Sequence, residues 1–362
     1  MMKKHPRIRT PWLTSALPAL ALLAGCPPSE PATSPDTAAT AQVAIPPPAE
    51  TGGPAGEAAP ANSTSPAAPE VEAPKMEWAP ADLTSSPGDS RLEPAAELVK
   101  KGDHANAKAA LTKLIPELGT AASLDVRMAA HTLLGRTLVA QRDLKAAAEH
   151  YATVRGLWRD PKAATAELAA LGGDDKAQLA RTARALNAAA EALFFEAEQR
   201  RLLAEKEKMP AYTGSGTSES VLKYVNKQIA PWLKTRRALA DEAEKAYTSV
   251  LRLEPIPPPA WVMASAERVG RMWSSLMSEL RGVAIPDNWK GKGTIPGTDI
   301  SREDVRNEFY SSLETAISPD IERARAAFQK CQDYSKKYRV QSDASRSCDD
   351  WLAKNPAPAA TP

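Results

Sequence analysis

The stretch HTLLGRTLVAQRDLKAAAEHY, residues 131–151, decides how the chain folds. Leu134, Gly135 and Leu138 fall on one stripe of an amphipathic helix. Arg142 and Asp143 interrupt the pattern as a turn would, and Ala147, Tyr151 and Val154 then recur four and three residues apart on a second helix. Small Gly135 and Ala147 stand where two antiparallel helices approach closely, and the larger residues fill the space beside them. The order is Leu-Gly, two residues, Leu, eight residues, Ala, three residues, Tyr.

That spacing resembles the helix pair of tetratricopeptide (TPR) repeats. Its second half recurs as Ala107, Leu111, Leu114, as Ala243, Tyr247, Val250, and as Ala324, Phe328, Cys331. Pro255 and Trp261 follow the third copy where the family places a closing proline and the next opening tryptophan. The alanines lie 40, 96 and 81 residues apart, far from a 34-residue period. The expected fold is therefore all-α, an irregular TPR-like helical solenoid with insertions.

Two insertions explain themselves. Residues 174–208 read as one helix through Leu179, Ala183, Leu186, Ala190, Leu193 and Ala197. Residues 220–253 carry a second apolar line through Val225, Ile229, Trp232, Leu239, Ala243 and Val250, interrupted by Arg236. Joined by a Gly/Ser turn at 212–216, they should form a long antiparallel hairpin. Pro231 should kink the second helix or restart it near Ala230. Beyond it, Val262, Val269, Met272, Trp273, Leu276 and Leu280 mark a helix ending near Gly282. A Gly-rich loop follows at 286–300. Ser301, and Ser318 before Pro319, read as helix N-caps.

The amino terminus supplies an address. Lys3, Lys4, Arg7 and Arg9 precede an apolar run from Trp12 to Ala24 that is too short to span a bilayer. It closes as Leu23-Ala24-Gly25-Cys26, which resembles the lipobox of bacterial lipoproteins. The resemblance implies cleavage of residues 1–25 and lipidation of Cys26, with enough acyl chain for stable anchoring. Pro27 and Pro28 stand where an Asp would favour the inner membrane, so the expected location is the outer membrane, facing the periplasm. Residues 26–90, rich in Pro, Ala, Ser and Thr, bury too little apolar surface to order and read as a disordered tether. Trp78 is its one aromatic residue, fit to dock on the body or on a partner, or simply to begin the ordered region. The helical domain should span 91–354, and 355–362 should be a disordered tail.

Charge separates along the chain. Net charge is +2; without the four basic residues of the signal it becomes −2. Residues 27–90 carry −8 and the remainder +6. That moderate balance lacks the concentrated basic face of a nucleic-acid binder.

Parts of the C-terminal half resemble TPR-like proteins of the myxobacterial gliding-motility apparatus. They are residues 243–255, 260–262, 283–286 and 324–348. The resemblance implies an envelope partner within such a machine. Cys331 and Cys348 remain once Cys26 is lipidated; in an oxidising compartment they fit one disulfide, the alternative being two buried thiols.

The sequence carries no nucleophile elbow, zinc-binding helix or nucleotide-binding glycine pattern, so no catalytic residues, metal ligands, cofactor or small-molecule substrate are expected. His104, His131 and His150 are scattered, and His150 reads as a helix-surface residue. Asp174-Asp175 and Asp349-Asp350 read as helix starts. The sequence thus points to a non-enzymatic, lipid-anchored scaffold that binds envelope proteins. The alternative is a chaperone-like accessory factor for outer-membrane protein or polysaccharide export.

Overall fold

Helix after helix begins at an aspartate. Asp103, Asp143, Asp160 and Asp174 each accept a hydrogen bond from the backbone amide three residues on, at 3.3, 3.2, 3.0 and 2.8 Å. Each satisfies one of the amides that a helix start leaves unpaired, worth about 1 kcal/mol. In the computed structural model, which describes residues 88–357, these caps open α2 (His104–Leu118), α4 (Leu144–Leu157), α5 (Pro161–Ala170) and α6 (Asp175–Lys206). α1 (Glu93–Lys100) precedes them, and α3 (Leu124–Ala140) lies between α2 and α4. The signal segment, Cys26, tether residues 27–87 with Trp78, and residues 358–362 lie outside the described residues.

The second half continues with α7 (Ser218–Tyr224), a π-helical turn (Val225–Ile229), α8 (Ala230–Leu251) and α9 (Pro259–Arg281). It ends with α10 (Arg302–Tyr338) and α11 (Asp343–Lys354). Val225, Ile229 and Ala230 keep helical geometry at the boundaries, so Pro231 does not restart a helix but sits just past the π-helical turn in a continuous helical run. Among the described residues there is no β-strand, only an isolated bridge between Thr294 and Ser301. The fold is all-helical.

Packing centres on α6, which lies against α3, α4, α5, α8 and α9; α9 in turn packs on α8, α10 and α11. α6 and α8 run antiparallel: the Trp232 indole donates to the Glu207 carbonyl (3.0 Å), while Tyr247 reaches back to Glu198. The middle of α6 is enclosed. Ala185, Ala189, Ala190, Phe194, Phe195 and Ala197 are all buried, and full burial of each phenylalanine is worth about 1.5–3 kcal/mol.

Several expectations need correction. The apolar line of α6 does not begin at Leu179: that side chain is 71% exposed and Ala183 is also exposed. α8 ends at Leu251, near the level of Phe194, so the first turns of α6 depend on other helices and outrun them. Arg236 does not interrupt the buried face of α8 but lies within it, 2% exposed, with its guanidinium 3.7 Å from Glu279. Ser318 caps nothing, because α10 continues through Pro319. Arg237 bridges that weak point from α8, donating to the Ala316 carbonyl (3.1 Å) and the Asp320 carboxylate (2.6 Å). Ser301 does cap α10. Asp349 and Asp350 lie well inside α11, whose start is a capping box between Ser342 and Ser345. His150 is half-buried against His131 rather than free on a helix surface.

Cys331 on α10 and Cys348 on α11 are disulfide-bonded, with their Cα atoms 6.4 Å apart. Both are fully buried.

Candidate functional site

The residues of the repeated spacing meet in pairs. A Cβ built on Gly135 would lie 2.8 Å from the Tyr151 ring, so α3 and α4 approach as closely as a glycine permits. Gly270 on α9 meets the Phe328 ring of α10 at the same 2.8 Å. Leu134, Leu138, Ala147, Tyr151, Ala243, Tyr247, Val250, Trp261, Ala324 and Phe328 are all buried. Pro255 is the exception: it is exposed in the turn between α8 and α9. Trp261 packs on Phe194, ring centroids 5.3 Å apart.

Two of the buried tyrosines end on buried glutamates. The Tyr151 hydroxyl donates to Glu191 (3.0 Å), which also accepts from Arg136 Nε (2.6 Å). Seven residues on, Glu198 accepts from Tyr247 and pairs with Arg201 (2.7 Å) and Arg268 (3.2 Å). Seven residues make nearly two helical turns, so both glutamates project from one side of α6. Burial, and then the neighbouring carboxylate, push both tyrosine hydroxyls well above their ordinary pKa, so they remain donors at any working pH. Burial works against charge on Arg136, but Glu191 outweighs it and holds the guanidinium above its usual range. With their polar atoms matched to one another, these clusters fix helix against helix.

Glu191 and Glu198 escape a reading by hydrophobic period, because each looks like a solvated charge on a long helix. A signal does exist. Glu191 and Glu198 stand among Ala190, Ala192, Phe194, Phe195 and Ala197, a run with no polar face wide enough to leave them in water.

The surface is concave between the end of α4 and the start of α5. A cleft of about 510 Å³, open to solvent, is walled by Leu157, Asp160, Pro161 and Ala164, and Gly156 and Glu167 also line it. Glu167 is fixed at the rim by Arg127 (2.6 Å). Leu171, 51% exposed, follows Glu167 by four residues, the spacing that continues one helix face. A Cβ on Gly156 would meet nothing within 4 Å, so the cleft has unfilled room above this residue. An aromatic cavity under Trp289, Phe309, Tyr212 and Tyr224 holds only about 20 Å³, room for one water-sized sphere.

Among the described residues no group of three or more His, Cys, Asp or Glu side chains is arranged to hold a metal ion, and no helix is long and apolar enough to cross a membrane. Compared with protein-family models, curated proteins and solved structures, the chain has no match.

Proposed function

We propose that the chain is a lipid-anchored scaffold of the bacterial envelope. Cys26 holds it to the outer membrane, the tether carries it into the periplasm, and a TPR-like helical body binds another envelope protein. Gliding-motility or related trans-envelope complexes are the setting the C-terminal resemblance favours. The observation that carries the binding role is the close approach of Gly135 to Tyr151, repeated by Gly270 and Phe328. This glycine-on-aromatic packing is how TPR-like pairs stack into a platform, and the matched Tyr-Glu-Arg clusters make the platform rigid. A rigid helical surface with an open cleft suits a partner's peptide or helix, because little ordering entropy is lost on the scaffold's side.

Two experiments test the reading. Cys26→Ser should release the protein from membranes, and undiminished membrane binding would remove the anchor. A photo-crosslinker placed at Gly156 should capture one or a few stable envelope partners in intact cells. Transient capture of many export cargoes there would replace the scaffold with a carrier.

A further inference from the structure

The described chain begins at Gly88, pressed against α6: a Cβ built on this glycine would collide with the Arg184 guanidinium. Arg184 is itself held by Asp125 of α3 (2.7 Å), so the point where the chain enters the body is fixed. From there toward the start of α6, Ala183, Ala180 and Leu179 are exposed, and Leu179 is 71% exposed. Leu179 and Ala183 stand four residues apart and share one helix face. A lone exposed leucine needs no cover. This one differs in what the chain ties beside it.

Residues 75–87 read KMEWAPADLTSSP. Met76, Trp78 and Leu83 are the only methionine, aromatic residue and leucine between Cys26 and Gly88. The bulky apolar side chains of the tether therefore gather at the end that joins the body. Trp78 lies ten residues before Gly88, and an extended chain of that length reaches up to about 33–36 Å. Leu179 lies five residues before Arg184, about 7.5 Å along the helix axis. Reach is ample. We propose that residues 76–83 dock on the outer face of the first turns of α6, with Trp78 seated on Leu179 and the small side chains of Ala180 and Ala183 leaving room for the indole.

The chain's own segment is favoured over a separate protein by its attachment. A link of ten residues presents the indole to the strip at an effective concentration of about millimolar, which a free partner must match in solution. An indole is also the side chain that covers most apolar surface for the two rotatable bonds it must fix. The strip offers one leucine and two alanines, so the contact works as a latch and not as part of the core. Once docked, it shortens the free tether to residues 27–75 and turns the start of α6 toward the anchor. The dock itself needs only residues 76–184 and stands whether or not Cys26 carries lipid.

The test uses the purified protein with its tether intact. A photo-crosslinker at Leu179 should join residues 76–83 of the same chain, and chymotrypsin should cut slowly after Trp78. Cleavage follows the population of undocked segment, so Leu179→Asp and Ala183→Asp should each speed it several-fold. Leu203→Asp, on an exposed leucine at the far end of α6, should leave the rate unchanged. Melting curves accompany each variant, and if Leu179→Asp melts abnormally, Ala183→Asp decides. Cleavage after Trp78 as fast in wild type as in both α6 variants, or crosslinks that avoid residues 76–83, would overturn the dock. A crosslink joining two chains would overturn it too, by giving the strip to a second copy.

Discussion

The Tyr151 ring lies 2.8 Å from where a Cβ on Gly135 would stand, while a Cβ on Gly156, five residues beyond Tyr151, would meet nothing within 4 Å. Two glycines in one helix pair therefore respond oppositely to the same substitution. Gly135→Ala should destabilise by about 1–3 kcal/mol, because a well-packed interface must shift to admit the methyl group. Gly156→Ala should stabilise by up to about 1 kcal/mol, through the better helix propensity of alanine. Urea denaturation of the two variants checks both signs, and Gly270→Ala, against Phe328, should follow Gly135→Ala.

The turns before α2 and α4 share one backbone pattern. Gly102 and Arg142 both have positive φ, 77° and 63°, and the aspartate after each donates its amide to the carbonyl five residues back. Glycine fits that conformation; arginine occupies it at a cost of about 1–2 kcal/mol. Arg142→Gly should raise stability by roughly 1 kcal/mol, and Gly102→Arg should lower it by a similar amount. A melting series on both variants measures the pair.

Removing Glu191 takes a charged partner from two groups. Arg136, whose side chain is 17% exposed, and the buried Tyr151 hydroxyl both end on that carboxylate. Glu191→Ala should destabilise by about 3 kcal/mol, the lower end for a broken buried pair. Arg136→Met combined with Glu191→Leu should recover much of the loss, because apolar residues of similar volume replace such pairs at little cost. Denaturant midpoints of the single and double variants decide it.

Reduction of Cys331–Cys348 should lower the melting temperature. The cysteines are 17 residues apart, and opening a loop of that size costs about 3 kcal/mol in the chain-entropy model. Dithiothreitol reaches the buried bridge only when α10 and α11 part, so the reduction should be slow in native protein. An unchanged melting curve after full reduction would remove the bridge's structural role.

Acid should act through His131. Its folded pKa, lowered to about 4, lies below the ordinary value of about 6.5. The unfolded state therefore binds more protons between these values, and stability is lost as pH falls through that window. Melting wild type and His131→Gln across pH 7 to 4 isolates the contribution: the difference between them should change with falling pH, and parallel curves would exclude it.

Much of the helical layout is legible in the sequence, because it rests on local rules. Aspartate and serine caps and the Ala, Tyr, Val spacing each act within a few residues. The misreadings come from partners distant in the chain. Ser318-Pro319 has the chemistry of a helix start, yet packing along α9 and the reach of Arg237 carry α10 through it. Leu179 fits the period of α6 but finds no helix opposite. The His131 and His150 rings, 19 residues apart, meet only because the turn at Arg142 folds α4 back on α3. The candidate cleft depends on how α5 leaves α4, and no local pattern encodes that angle.

The placement of Glu191 and Glu198 also limits how this chain can change its length. Each residue inserted or deleted in a helix rotates everything beyond it by about 100°. One such event between positions 191 and 198 would keep one glutamate under its tyrosine and swing the other into an apolar wall. Related chains should therefore hold that seven-residue interval fixed. Length changes should instead gather in the first turns of α6, where Leu179 and Ala183 are exposed and the register has no helical partner to lose.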